Sequence, residues 1–207
     1  MLDANKLKQL EANFLMQYPE GFADPEMMKI GKKHNVNKMT VMAREYFTPL
    51  ACSNVHITAE NMIKVVGRSS MVSMFEKPKF RDFVRNMDEN EKSFLVNALS
   101  QMLHGKKQLG FEAMVDLLKT AKLAKWSLVT IIPAYYAPNK EVFVKPTTAK
   151  NILNYFEITD PVYKPAPTWD FYKKYRTLIN EAKTKVDKSL SPSNAAFSGF
   201  LMMTVKK

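Results

Sequence analysis

Apolar residues recur at three- and four-residue spacing along most of the chain, the pattern of helices with one buried face. Leu7, Leu10, Phe14, Leu15 and Tyr18 form the first stripe, with Asp3 as its cap and Pro19 and Gly21 as its stop. Asp24 followed by Pro25 puts a capping side chain before a proline at the first helical position, so a second helix starts there. Met62, Ile63 and Val66, then Met71 and Phe75, predict a helix capped by Thr58 and broken at Lys77-Pro78. A short helix with Phe80, Phe83 and Val84 follows. Asp88 with Glu91 reads as a capping box before a helix carrying Phe94, Leu95, Ala98 and Met102. "HGKKQLG", residues 104–110, reads as a glycine-bounded basic turn, and a helix from Phe111 carries Met114, Val115, Leu118 and Ala121.

The rhythm changes over residues 126–145. "WSLVTII" and "EVFVK" are β-branched and aromatic, with "PAYYAPN" between them. They fit a small β element, or equally a buried helix followed by an extended segment. A helix restarts at Thr147 or Thr148, and three prolines keep 160–167 extended or turned. Thr168 caps an amphipathic helix, and Ser191-Pro192 starts a last, very apolar one. The expected fold is mainly α: a single multi-helical globular domain over residues 1–207, with a small β element around 126–145 only if the first of those two readings holds. A division would set off an N-terminal helical subdomain, residues 1–50, or fall in the proline loop at 160–167.

Length supports that expectation. A chain of 207 residues with 46% hydrophobic content can bury one proper core. One cysteine, Cys52, rules out an intrachain disulfide framework. With no apolar signal-peptide core in "MLDANKLKQLEANF", the expected location is cytoplasmic. The apolar runs at 126–137 and 197–205 are too short to span a bilayer as helices.

Charge changes the functional picture. The chain carries 31 Lys+Arg against 20 Asp+Glu, a net +11. Such an excess favours polyanions, nucleic acid first among them. The segment "IGKKHNVNKMTV" draws attention, because no acidic residue falls between Met27 and Arg44 while Lys29, Lys32, Lys33, Lys38 and Arg44 do. Gly31 offers a small crossing position and Ile30 a locking one; Asn35 tolerates a left-handed turn. Val36 and Val41 would pin the following helix and Asn37 would cap it. Residues 24–47 thus resemble the helix-turn-helix of many bacterial DNA-binding proteins. His34 and Arg44 depart from it, standing where that motif wants apolar side chains, and the turn lacks glycine. The alternative is a helical corner with solvated lysines. Residues 1–50 hold seven basic against six acidic residues, whereas 126–207 hold twelve against six, so much of the excess lies elsewhere.

Other candidates are weaker. "WDFYKKYR" mixes Trp169, Phe171, Tyr172 and Tyr175 with Lys173, Lys174 and Arg176, as a base-stacking platform would, but aromatics at helical spacing are usually core. "GRSS", residues 67–70, lacks the spacing and lysine of a phosphate loop. His34, His56 and His104 are scattered, and Cys52 with His56 has no second pair, so neither metal nor Cys-His chemistry is expected, and no cofactor. Three functions therefore stand. The first is a nucleic-acid-binding protein using Lys29, Lys32, Lys33, Asn37, Lys38 and Arg44. The second is a non-catalytic helical protein-interaction module. The third is an enzyme whose site only the fold assembles.

Overall fold

Polar caps decide where the helices begin, by taking up backbone N–H groups that have no partner inside the helix. In the computed structural model, which describes residues 2–205, the Asp3 carboxylate accepts from Lys6 N–H at 2.8 Å and opens α1, Ala4–Gln17. Asp24 does the same for α2, Pro25–His34. The Asp88–Glu91 capping box is complete in both directions and opens α6, Glu89–His104. Between them lie α3, Val36–Tyr46, α4, Val55–Arg68, and α5, Glu76–Arg85. After α6 come α7, Lys107–Thr120, α8, Trp126–Tyr136, and α9, Pro146–Tyr155. The series closes with α10, Trp169–Lys183, and α11, Asn194–Thr204.

The molecule is all-helical, with no strand among the described residues. Of the two readings open for 126–145, the buried helix followed by an extended segment is the one that forms, and the β element does not. Trp126–Tyr136 is helical despite its β-branched residues and internal Pro133, because every residue from Leu128 to Tyr135 is buried. A segment apolar on all sides satisfies its backbone most simply as a helix in the core. "EVFVK" is extended but pairs with no strand. Side chains serve its backbone instead: Val142 N–H donates to the Tyr172 hydroxyl at 3.4 Å and Val144 N–H to Thr130 Oγ1 at 3.1 Å.

Several boundaries also move. Asn54, not Thr58, caps α4, and that helix stops at Arg68, short of Met71 and Phe75. Helix α7 starts at Lys107 rather than Phe111, α9 at Pro146, and α11 at Asn194 behind Ser193. Gly110, read as the end of a turn, lies inside α7, where a Cβ would come within 2.5 Å of Ala98 O and Met102 N. Helices α6 and α7 pack that closely at their backbones.

Packing joins both ends of the chain. Helix α1 lies on α11 and α3 on α8, so residues 1–50 share the core of the rest. The proline loop is tied down by the Trp126 indole, which donates to Lys164 O at 2.8 Å, and Pro161 and Pro167 are buried. The core is one connected cluster with Trp126, Tyr135, Tyr172, Tyr175, Phe111 and Phe171 among its largest members.

Candidate nucleic-acid interface

Helices α2 and α3 meet at Asn35, whose backbone is left-handed at φ 46°. Asparagine tolerates that conformation better than most residues, so the turn needs no glycine. Helix α2 buries only Met27, and every residue from Met28 to Asn35 is exposed. Helix α3 is anchored by Met39, Met42 and Ala43. The result is a helical corner whose first arm stands away from the core.

Lys29, Lys32, Lys33 and Lys38 lie on this corner, all exposed. Among the described residues none of the four has an acidic partner within 4.0 Å. Lys32 and Lys33 occupy the last turn of α2, where cations complement the negative end of the helix dipole. Lys38 sits in the first turn of α3, at the positive end, where a cation is unfavourable on its own. At Asn35 the two dipole ends offset each other and the lysine charges stand. Asn37 is exposed beside Lys38 and caps nothing; Asn35 is the N-cap residue, without a side-chain bond. Arg44 donates from Nε to Tyr136 O at 3.1 Å, which ties α3 to α8. His34 Nδ1 lies 2.9 Å from Ser70 Oγ.

The apolar lock of a helix-turn-helix is absent from this corner. Ile30 is 41% exposed and Val41 66%. Nothing lies within 4 Å of a Cβ built on Gly31, so no second helix crosses there. Val36 alone of the expected locking residues packs against the core.

The remaining sequence candidates have structural occupations. Phe171, Tyr172 and Tyr175 are core, with Phe171 and Tyr175 stacked at 5.5 Å between centroids. Lys174 pairs with Asp160 and Asp170. In "GRSS", Arg68 meets Met42 Sδ, Ser69 Oγ lies 2.9 Å from the buried Tyr135 hydroxyl, and Ser70 meets His34. His56 pairs with Glu89, and His104 Nε2 lies 2.8 Å from Phe47 O. Burial pushes the Cys52 thiol up. Among the described residues no group of three or more His, Cys, Asp or Glu side chains could hold a metal ion.

A cluster that sequence reasoning missed lies around Glu141. Its side chain is 5% exposed, and Arg176 Nη1 donates to both of its oxygens at 3.1 and 2.9 Å. Lys107 Nζ reaches Oε1, and the Tyr172 hydroxyl donates to Oε2 at 2.9 Å. Asn194 Nδ2 donates to the Glu141 carbonyl at 3.0 Å. Burial pushes the Glu141 carboxyl up, but its bonds to Lys107 and Arg176 outweigh that and hold it below the ordinary glutamate value. Burial first, and the neighbouring carboxylate second, push the Tyr172 phenol far up, so it stays a neutral donor. Lys107 and Arg176 neutralise the buried charge and Tyr172 hydrogen-bonds it, which leaves no free acid, base or nucleophile. The cluster is a fastening between α7, the 139–145 segment, α10 and α11.

No family model, curated protein or solved structure matches this chain. Among the described residues no helix is long and apolar enough to cross a membrane.

Proposed function

We propose that the protein binds nucleic acid through the α2–α3 corner, with Lys29, Lys32, Lys33 and Lys38 meeting backbone phosphates. One observation carries this reading: four exposed lysines on a projecting corner, with no carboxylate among the described residues within ion-pair distance. Unneutralised cations on a projecting element hold condensed phosphate charge with little desolvation cost, since both partners stay partly wet. Asn37 and Lys38, in the first turn of α3, come nearest to base edges, and Arg44 contributes whatever donors its bond to Tyr136 leaves free. With Ile30 and Val41 unlocked, contact with phosphate outweighs base reading, and sequence preference is weak.

Fluorescence anisotropy with a labelled DNA duplex over a salt series tests this. Four phosphate contacts correspond to a slope of log K against log salt of about −3.6. Replacing Lys32, Lys33 and Lys38 together by alanine cuts that slope by most of its value and weakens binding alike for unrelated sequences. Absence of binding at low salt, or an unchanged slope in the triple variant, removes the reading.

A second reading has its own observation. Met28, Ile30 and Val41 are 50%, 41% and 66% exposed on the same corner. Apolar side chains ringed by lysines also suit an acidic protein partner. Substituting Met28, Ile30 and Val41 by serine separates the two, because it leaves phosphate-led binding intact and abolishes docking of a protein.

A further inference from the structure

We infer that the turn between α4 and α5 docks on an anionic phospholipid surface. Met74 and Phe75 stand there side by side, 74% and 73% exposed. Single exposed apolar residues are ordinary, but two large neighbours on one turn are not. The chain on both sides of them is fastened. Ser69 and Val72 are buried, and Ser69 Oγ accepts from Met71 N–H at 3.1 Å beside its contact with the Tyr135 hydroxyl. Ser73 O accepts from the N–H groups of Glu76 and Lys77 at 3.0 and 3.2 Å, and Ser73 Oγ from Phe75 N–H at 3.3 Å. One turn further on, Phe80 is buried. The two side chains are thus held in water by a built turn rather than left there by a slack loop.

Charge identifies what covers them. Three basic, acid-poor stretches meet at this turn. In its own stretch Lys77 and Lys79 follow the apolar pair directly, and Glu76 is the only acid between Glu60 and Asp82. Glu76 is half-buried, and its carboxylate accepts from the Ser127 hydroxyl at 2.7 Å. That bond brings up the start of α8 and the connection before it. There no acid falls between Asp116 and Glu141, while Lys122 and Lys125 do, both exposed. The third stretch is α2: His34 Nδ1, 2.9 Å from Ser70 Oγ, sets its lysine-bearing end beside the turn. Far apart in sequence, the three are gathered only by folding. An apolar pair amid cations fits an anionic bilayer surface, where the apolar side chains enter the acyl boundary and the ammonium groups stay among the headgroups. A nucleic-acid duplex satisfies the cations but gives Met74 and Phe75 nothing to enter. The partner is a bilayer bearing headgroups of the phosphatidylserine type, on which the chain lies without spanning it. The inference does not rest on nucleic-acid binding by the α2–α3 corner, whose lysines stay untouched in the test.

Cosedimentation of the full chain with phosphatidylcholine–phosphatidylserine vesicles, and with vesicles of phosphatidylcholine alone, tests this. The chain binds the mixed vesicles at low salt and leaves them as salt rises. Met74→Ser combined with Phe75→Ser, both at exposed positions, weakens that binding by about tenfold or more while the melting temperature stays unchanged. Lys79→Gln and Lys125→Gln, also at exposed positions, weaken it by about fivefold each. Failure to bind the mixed vesicles at low salt, or equal binding to phosphatidylcholine alone, overturns the inference. So does undiminished binding by the serine double variant, since charge alone would then hold the surface. A dimer in sedimentation equilibrium that the same two substitutions convert to monomer overturns it too, by assigning the apolar pair to a second copy of the chain.

Discussion

Glu141 combines the deepest burial of any acid in the chain with three donors to its carboxylate. A buried charge is tolerable only while its partners stay in place, and removing one partner costs more than the pair contributes. Arg176→Met should therefore destabilise the fold by about 3–5 kcal/mol, measured by urea denaturation. Glu141→Gln should cost less, since the charges it leaves unpaired, Lys107 and Arg176, are 40% and 21% exposed and reach water more readily than the carboxylate does. The lowered Glu141 carboxyl also sets a pH dependence. Its stabilisation is complete above the ordinary glutamate value of about 4.3 and is lost as pH falls from there through the lower folded value. Comparing wild type with Glu141→Gln across that window isolates the effect; parallel stability curves would contradict it. Nothing in the sequence announced Glu141. Its partners Lys107 and Arg176 lie 34 and 35 residues away, on opposite sides. The only local hint is an acid at the head of an apolar run, "EVFVK", where burial was foreseeable but its partners were not.

Helices α6 and α7 approach so closely that Gly110 admits no methyl group against Ala98 O and Met102 N. Both obstacles are backbone, which cannot rotate aside. Gly110→Ala should thus lower stability by about 1–3 kcal/mol despite alanine's better helix propensity. A neutral or higher melting temperature would show that the helices separate freely. Asn35 makes the opposite case. Its φ of 46° suits glycine, so Asn35→Gly should hold stability within about 0.5 kcal/mol, whereas Asn35→Val should cost about 1–2 kcal/mol. Calorimetry of the pair checks both. At this scale the sequence was legible where a polar cap preceded a clean stripe. Asp3, Asp24-Pro25 and Asp88-Glu91 all lie where their spacing places them. It misled at α4, where Asn54 rather than Thr58 is the cap, and it left α8 open between strand and helix, a choice that burial decides. The left-handed turn at Asn35 was readable, but exposure of Ile30 and Val41 was not, since their apolar spacing is that of a packed helix.

Across the whole molecule the cation excess divides into two populations. Lys107, Arg176, Lys174 and Arg85 are bound to carboxylates and serve the fold. Among the described residues many others have no such partner, Lys77, Lys79, Lys122 and Lys125 among them; Lys29, Lys32, Lys33 and Lys38 belong to that second group, and their gathering on one corner defines the face on which the proposed binding rests. Charge alone could not sort the two, because pairing depends on the contacts that folding makes. The Glu141 fastening carries one more consequence, for the order of assembly. Its bonds close loops that begin in α7 and end in α11, so no stretch emerging early from a ribosome can complete it. Until the last two helices arrive, the 139–145 segment must keep its acid wet, and the middle of the molecule stays ajar. Pulsed hydrogen exchange should find the amide of Val142 among the last to gain protection, together with those of α10.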